Sequence, residues 1–71
     1  MMMTRTLTID GMSCQHCVMR VKNALEELEG VKSAHVDLEK KTADVEMQQD
    51  VDESALFRAV QEAGYTAVSI Y

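Results

Sequence analysis

The chain has 71 residues, 46% hydrophobic and 27% charged, and its twelve acidic against seven basic side chains give a net charge of −5. One domain of this size buries only roughly 60% of its unfolded surface, which argues against a large enzyme with a deep cleft and for a binding module. The acidic balance disfavours nucleic acid, and Phe57, Tyr65 and Tyr71 are too few aromatics for a base-stacking platform.

Residues 4–10 alternate, with Leu7 and Ile9 apolar between Thr6, Thr8 and Asp10, which predicts a strand. From Cys14 the period changes. Cys14, Cys17, Val18, Val21, Ala24, Leu25 and Leu28 recur on one face of an amphipathic helix. Glu26, Glu27 and Glu29 extend it, and Gly30 is its expected C′ terminator. Residues 31–39 return to alternation, with Ala34, Val36 and Leu38 on one face. Val31 breaks the parity, so a bent entry is expected. Lys40-Lys41 reads as a hairpin turn, followed by a strand with Ala43, Val45 and Met47 inward.

A second helix is expected from Asp52, its N-cap candidate, with Val51 and Leu56 spaced as a hydrophobic staple. Leu56, Val60 and Ala63 form its stripe, widened by Phe57 and Ala59, and Gly64 ends it. Residues 65–71 form a last strand, with Val68 and Ile70 apolar. The order is β-α-β-β-α-β. Right-handed crossovers then favour a split β-α-β sandwich, an α+β domain over residues 1–71 with two helices on one face of a four-stranded antiparallel sheet. No apolar run has the length of a signal peptide or a membrane span, so the expected location is cytoplasmic.

Chemistry concentrates in Gly11-Met12-Ser13-Cys14-Gln15-His16-Cys17, between the first strand and the first helix. A disulfide across so short a loop constrains the unfolded chain little. In a reducing cytosol the pair reads as metal-binding or redox-active. A helix N-terminus offers unpaired N–H groups and partial positive charge, which stabilise thiolates. Two soft thiolates without evident third and fourth ligands suit Cu(I), whereas zinc prefers four. Two other readings stand beside this one. A dithiol oxidoreductase is disfavoured because the chain has no proline for a thioredoxin-like cis bond. Core cysteines are disfavoured because the loop around them is polar.

This loop, on a chain of this length, with Gly30-Val31 after the first helix and Ala63-Gly64-Tyr65 after the second, resembles the heavy-metal-associated (HMA) domain family. Within it, Ser13-Cys14-Gln15-His16-Cys17 is similar to the free-standing bacterial and archaeal copper chaperones of the CopZ type. The resemblance implies a ferredoxin-like fold and Cu(I) bound by Cys14 and Cys17. It also implies a carrier and not an enzyme, delivering copper to a copper-transporting P-type ATPase or a copper-responsive repressor. Alternatives within the family are a domain of a heavy-metal ATPase and a mercury- or zinc-binding relative. Zinc and cadmium relatives often place a carboxylate where Ser13 stands.

Around the cysteines, Met12 is expected to anchor the loop in the core, His16 to be exposed, and His35 to be solvated. Tyr65 matches the tyrosine that bacterial relatives place beside the site, where it shields the metal, bonds to it or its sulfurs, or only packs. The remaining methionines are expected in the core or at a loose N-terminus, where Met1, Met2 and Met3 form a soft run. Residues 1–25 carry Arg5, Arg20 and Lys22 against Asp10, a balance of +2, and residues 26–71 carry a balance of −7. Arg20 and Lys22 are therefore expected to offset the charge of a dithiolate centre and to steer docking through the metal end. An exposed pair also permits a copper-dependent homodimer.

Overall fold

The computed structural model describes residues 3–71. Six elements follow in the expected order: β1 (Met3–Asp10), α1 (Gln15–Glu26), β2 (Val31–Asp37), β3 (Thr42–Met47), α2 (Glu53–Glu62) and β4 (Thr66–Ile70). The strands form one antiparallel sheet in the order β2-β3-β1-β4. Both helices pack on the same apolar face, α1 against β2 and α2 against β4, which is the ferredoxin-like sandwich. Leu7 and Ile9 of β1, Val21 and Leu25 of α1, Ala43 and Val45 of β3, and Leu56 and Val60 of α2 are fully buried. Alternation in the strands and 3.6-residue periodicity in the helices aim these residues at one layer. Among the described residues no helix is long and apolar enough to cross a membrane.

Several boundaries differ from expectation. Helix α1 stops at Glu26 with Glu27 as C-cap, so Gly30 is not its terminator. Gly30 instead closes the turn into β2. At φ +96°, a Cβ there would lie 2.8 Å from Gln49 Cγ and 2.9 Å from Val51 Cγ2. Glycine is needed for the close approach of the β3–α2 connection as much as for the turn. Strand β2 ends at Asp37, because the turn to β3 takes residues 38–41 and Lys41 adopts a positive φ of 58°. The Asp37 side chain accepts from the Lys40 N–H at 3.0 Å, an Asx-type stop. The bent entry at Val31 is present as a register shift between Val31 and Ser33.

Asp52 is the N-cap of α2, yet its side chain makes no capping bond. Its carbonyl alone accepts from the Ala55 and Leu56 N–H groups. Val51 is half-buried against the core that contains Leu56, as a staple requires. Apolar Val68 is exposed, while Ala67 and Ile70 pack against the core. The cause is a register shift between Thr8 and Ile9: Ile9 pairs with Ala67 but Thr8 with Ser69, so Val68 is the extra residue of a bulge.

At the C-terminus of α2, the Gly64 N–H bonds to the Gln61 carbonyl at 3.0 Å and the Tyr65 N–H to the Val60 carbonyl at 3.2 Å. With Ala63 as C-cap, these are the two bonds of a Schellman motif, and Gly64 supplies the left-handed residue at φ +99°. A Cβ on Gly64 would meet nothing within 4 Å, unlike one on Gly30. Gly64→Ala is therefore expected to lower stability by about 1 kcal/mol through backbone strain alone. Gly30→Ala should cost more, because Val51 and Gln49 must also move. Urea unfolding of the two variants checks the order; equal losses would contradict the packing argument.

Candidate metal centre

Cys14 is the N-cap of α1 and Cys17 stands at N3. These are the positions whose side chains meet in a capping box, so a spacing of three brings both groups to one point at the helix mouth. The two Sγ atoms lie 3.6 Å apart, and both cysteines are free thiols. Two metal–sulfur bonds of ~2.3 Å span at most ~4.6 Å, so one ion fits between them with little movement. The Cys14 carbonyl accepts from the Cys17 and Val18 N–H groups, while its thiol caps nothing. No acidic residue occupies the first turn of α1. The positive end of the helix dipole is thus left to the sulfurs.

Met12 is 8% exposed and belongs to the core, as expected; it ties down a loop whose Gly11 and Ser13 are exposed. Cys14 is exposed and Cys17 half-buried. Hydrogen bonding lowers the Cys17 pKa from an ordinary 9.0 to about 6. The Ser13 backbone N–H contributes most, then the Tyr65 hydroxyl, against a smaller opposing effect of burial; the Cys14 thiol and N–H add to the lowering. The Tyr65 phenol is pushed up in return, first by its bond to the Cys17 sulfur. The Tyr65 ring stands against the loop, 3.5 Å from where a Cβ on Gly11 would lie. The Schellman turn of α2 delivers it there.

Arg20 lines the cleft between the helices with Ala59, Glu62 and Ala63 of the α2 terminus. It lies three residues after Cys17, one turn along the same helix face. Lys22 does not serve the loop as expected. Its Nζ lies 2.8 Å from Glu26 Oε2, and Glu26 also accepts from the Ala34 N–H of β2 at 3.1 Å. Both contacts hold the Glu26 carboxyl below its ordinary pKa, the Lys22 bond more strongly. The i,i+4 partner captures Lys22, which points away from the cysteine face.

His16 and His35 are exposed, as expected. Among the described residues no three His, Cys, Asp or Glu side chains form a cluster that could hold a metal ion. Met19 is 57% exposed and is not the core residue expected; it follows buried Val18 and turns to solvent. Met3 is half-buried in β1 and packs against the core, not in a loose start. Met1 and Met2 lie outside the described residues.

A depressed pKa contributes stability that is present above the unfolded value and lost as pH falls through the folded one. For Cys17 that window runs from about 9 down to about 6. In a Cys14→Ser variant, which loses only the smaller contribution of the Cys14 thiol, alkylation of Cys17 by iodoacetamide should follow a midpoint well below 9, and adding Tyr65→Phe should raise it. A midpoint near 9 in the single variant would refute the hydrogen-bond account.

The comparisons with known proteins agree with this geometry. The heavy-metal-associated domain matches residues 6–66. The chain is 42% identical over 62 residues to "Copper chaperone CopZ" of Bacillus subtilis (strain 168), covering 86% of this chain and 90% of that protein. The solved structure "CopZ metallochaperone" superimposes with a TM-score of 0.87 at 36% identity, covering 93% of this chain and all of that one. A "Copper-exporting P-type ATPase" of Mycobacterium tuberculosis (strain ATCC 25618 / H37Rv) is 43% identical over 61 residues, 86% of this chain but 8% of the ATPase. Homologous domains therefore occur within copper-transporting P-type ATPases. With its family matched from β1 to the start of β4, this chain belongs to the heavy-metal-associated domain family.

Proposed function

We propose that this chain is a cytoplasmic copper chaperone, a single domain over residues 1–71 that carries Cu(I) on Cys14 and Cys17 and surrenders it by ligand exchange. The observation that carries the reading is the pair of sulfurs 3.6 Å apart at a helix mouth, with no further His, Cys, Asp or Glu clustered beside them among the described residues. Thiolates are soft donors that select Cu(I), and a two-sulfur site satisfies it where zinc would remain short of ligands. The chaperones and ATPases to which the chain is similar support copper as the cargo.

Such a site suits transfer. An acceptor thiolate adds to the copper, a copper–sulfur bond to one cysteine breaks, and that sulfur leaves as a thiolate. Copper stays monovalent throughout, so no electron is needed and the protein turns over no substrate. The exposed Cys14 leaves the ion open to this attack. The proposed acceptor is the cysteine-bearing domain of a copper-transporting P-type ATPase, since such a domain is built like this chain. A copper-responsive repressor is a second acceptor of the same chemistry. The open site also allows two chains to share copper, each ion gaining thiolates from the partner.

Anaerobic titration with Cu(I), Zn(II) and Hg(II), read by X-ray absorption, tests the cargo and its ligands. Cu(I) should be held by sulfur alone, and Cys14→Ser or Cys17→Ser should lower its affinity by orders of magnitude with circular dichroism unchanged. Coordination chiefly by nitrogen or oxygen, or parental copper binding by both variants, would overturn the reading. Sedimentation with and without Cu(I) tests the homodimer, which should appear only with the metal.

A further inference from the structure

The sheet has two outer edges, β2 and β4. An edge strand presents a row of unpaired N–H and C=O groups to which another strand can add. On β4 the row is broken at the Val68 bulge, where the register to β1 shifts. On β2 the register to β3 shifts at the start, between Val31 and Ser33, and Ser33 to Asp37 then pair regularly with Glu46 to Thr42. In a regular antiparallel ladder, alternate residues turn their backbone groups to the neighbour. The Ala34 N–H is turned away from β3, since it bonds to Glu26 Oε2 of α1 at 3.1 Å. Val36, two residues on, faces outward with it.

The Glu26 carboxylate stands where the carbonyl of an added strand would have to be. It is braced from its own helix: Lys22 Nζ lies 2.9 Å from Glu26 Oε1 and 2.8 Å from Oε2, one turn back. A strand approaching Ala34 must displace a charged acceptor, and charge-assisted hydrogen bonds are the stronger kind. The edge behind this guard matches itself. Ala34 is buried and Val36 packs against the core, while His35 between them is exposed on the other face. About a two-fold axis at His35, an antiparallel β2 from a second copy would set Ala34 of each chain against Val36 of the other. Outward backbone groups would then meet outward backbone groups, and the apolar sides would coincide.

We propose that the outer edge of β2 is a strand-pairing surface for a second copy of this chain, and that Glu26, braced by Lys22, keeps it closed. Pairing of metal-free chains through their sheets is thereby suppressed, and association is left to the cysteine end. That consequence rests on the copper-sharing pair proposed above. The closed edge is tested on the metal-free chain, so its failure is separable from failure of copper sharing.

The test follows the reduced, metal-free chain by sedimentation equilibrium and amide hydrogen exchange. Glu26→Ala should lower the dimer dissociation constant by at least about tenfold, as expected from a freed donor on each chain. The Ala34 and Val36 amides of that variant should gain protection as its concentration rises. Lys22→Ala, which leaves the carboxylate in place but unbraced, should fall between Glu26→Ala and the parent. Glu26→Gln keeps an acceptor for the Ala34 N–H and should associate no more than the parent. Glu27→Ala removes the same charge from an exposed position at the same helix end and should also behave as the parent. The proposal is overturned if neither Glu26→Ala nor Lys22→Ala associates more than the parent, or if Glu26→Gln or Glu27→Ala associates as strongly as Glu26→Ala. It is equally overturned if the Glu26→Ala dimer leaves the Ala34 and Val36 amides unprotected.

Discussion

The structure depends on one juxtaposition: two sulfurs at the N-cap and N3 positions of α1, where backbone N–H groups lack helical partners. In most helices a hydroxyl or carboxylate from the chain would satisfy those donors. Here the Cys14 thiol caps nothing and the first turn holds no acid. The unfilled positive end stabilises thiolate at Cys17, helped most by the Ser13 N–H. The incompletely capped helix leaves two sulfurs at its positive end.

The rest of the fold holds that point still. Met12 descends into the core and fixes the loop from one side, while buried Val18 and Val21 fix the helix from the other. Strand β1, central in the sheet, leads directly into the loop. The Lys22–Glu26 pair, with Glu26 reaching the Ala34 N–H, ties α1 to the edge strand β2. In a small domain with a modest core, such ties limit movement of the helix that carries both sulfurs. Rigidity in the scaffold and openness at Cys14 are compatible because the loop projects beyond the packed layers.

Tyr65 connects the two halves of the chain. The β-α-β halves are similar in pattern, but only the first bears cysteines. The second contributes through the end of its helix, where the Schellman turn at Gly64 swings Tyr65 toward Cys17. One sulfur belongs to an exposed residue and the other to a half-buried one, so the pair is unequal.

The sequence by itself determined the order of elements, the sandwich and the position of the cysteine loop. These follow from local periodicity, glycine punctuation and the spacing of two thiols, all of which are written within a few consecutive residues. It also determined Met12 as an anchor and the exposure of His16 and His35. Tertiary structure alone decided the rest. The bulge opposite Thr8 and Ile9 turned Val68 outward, because strand register is set by pairing with a partner distant in sequence. Close approach of Gln49 and Val51 assigned Gly30 its place, which no helix-ending rule reveals. Glu26 took Lys22 away from the loop, while Tyr65, 48 positions beyond Cys17, was brought against the cysteine loop at Gly11. Contacts between side chains remote in the chain depend on how helices and strands pack, and a one-dimensional pattern carries no record of that packing.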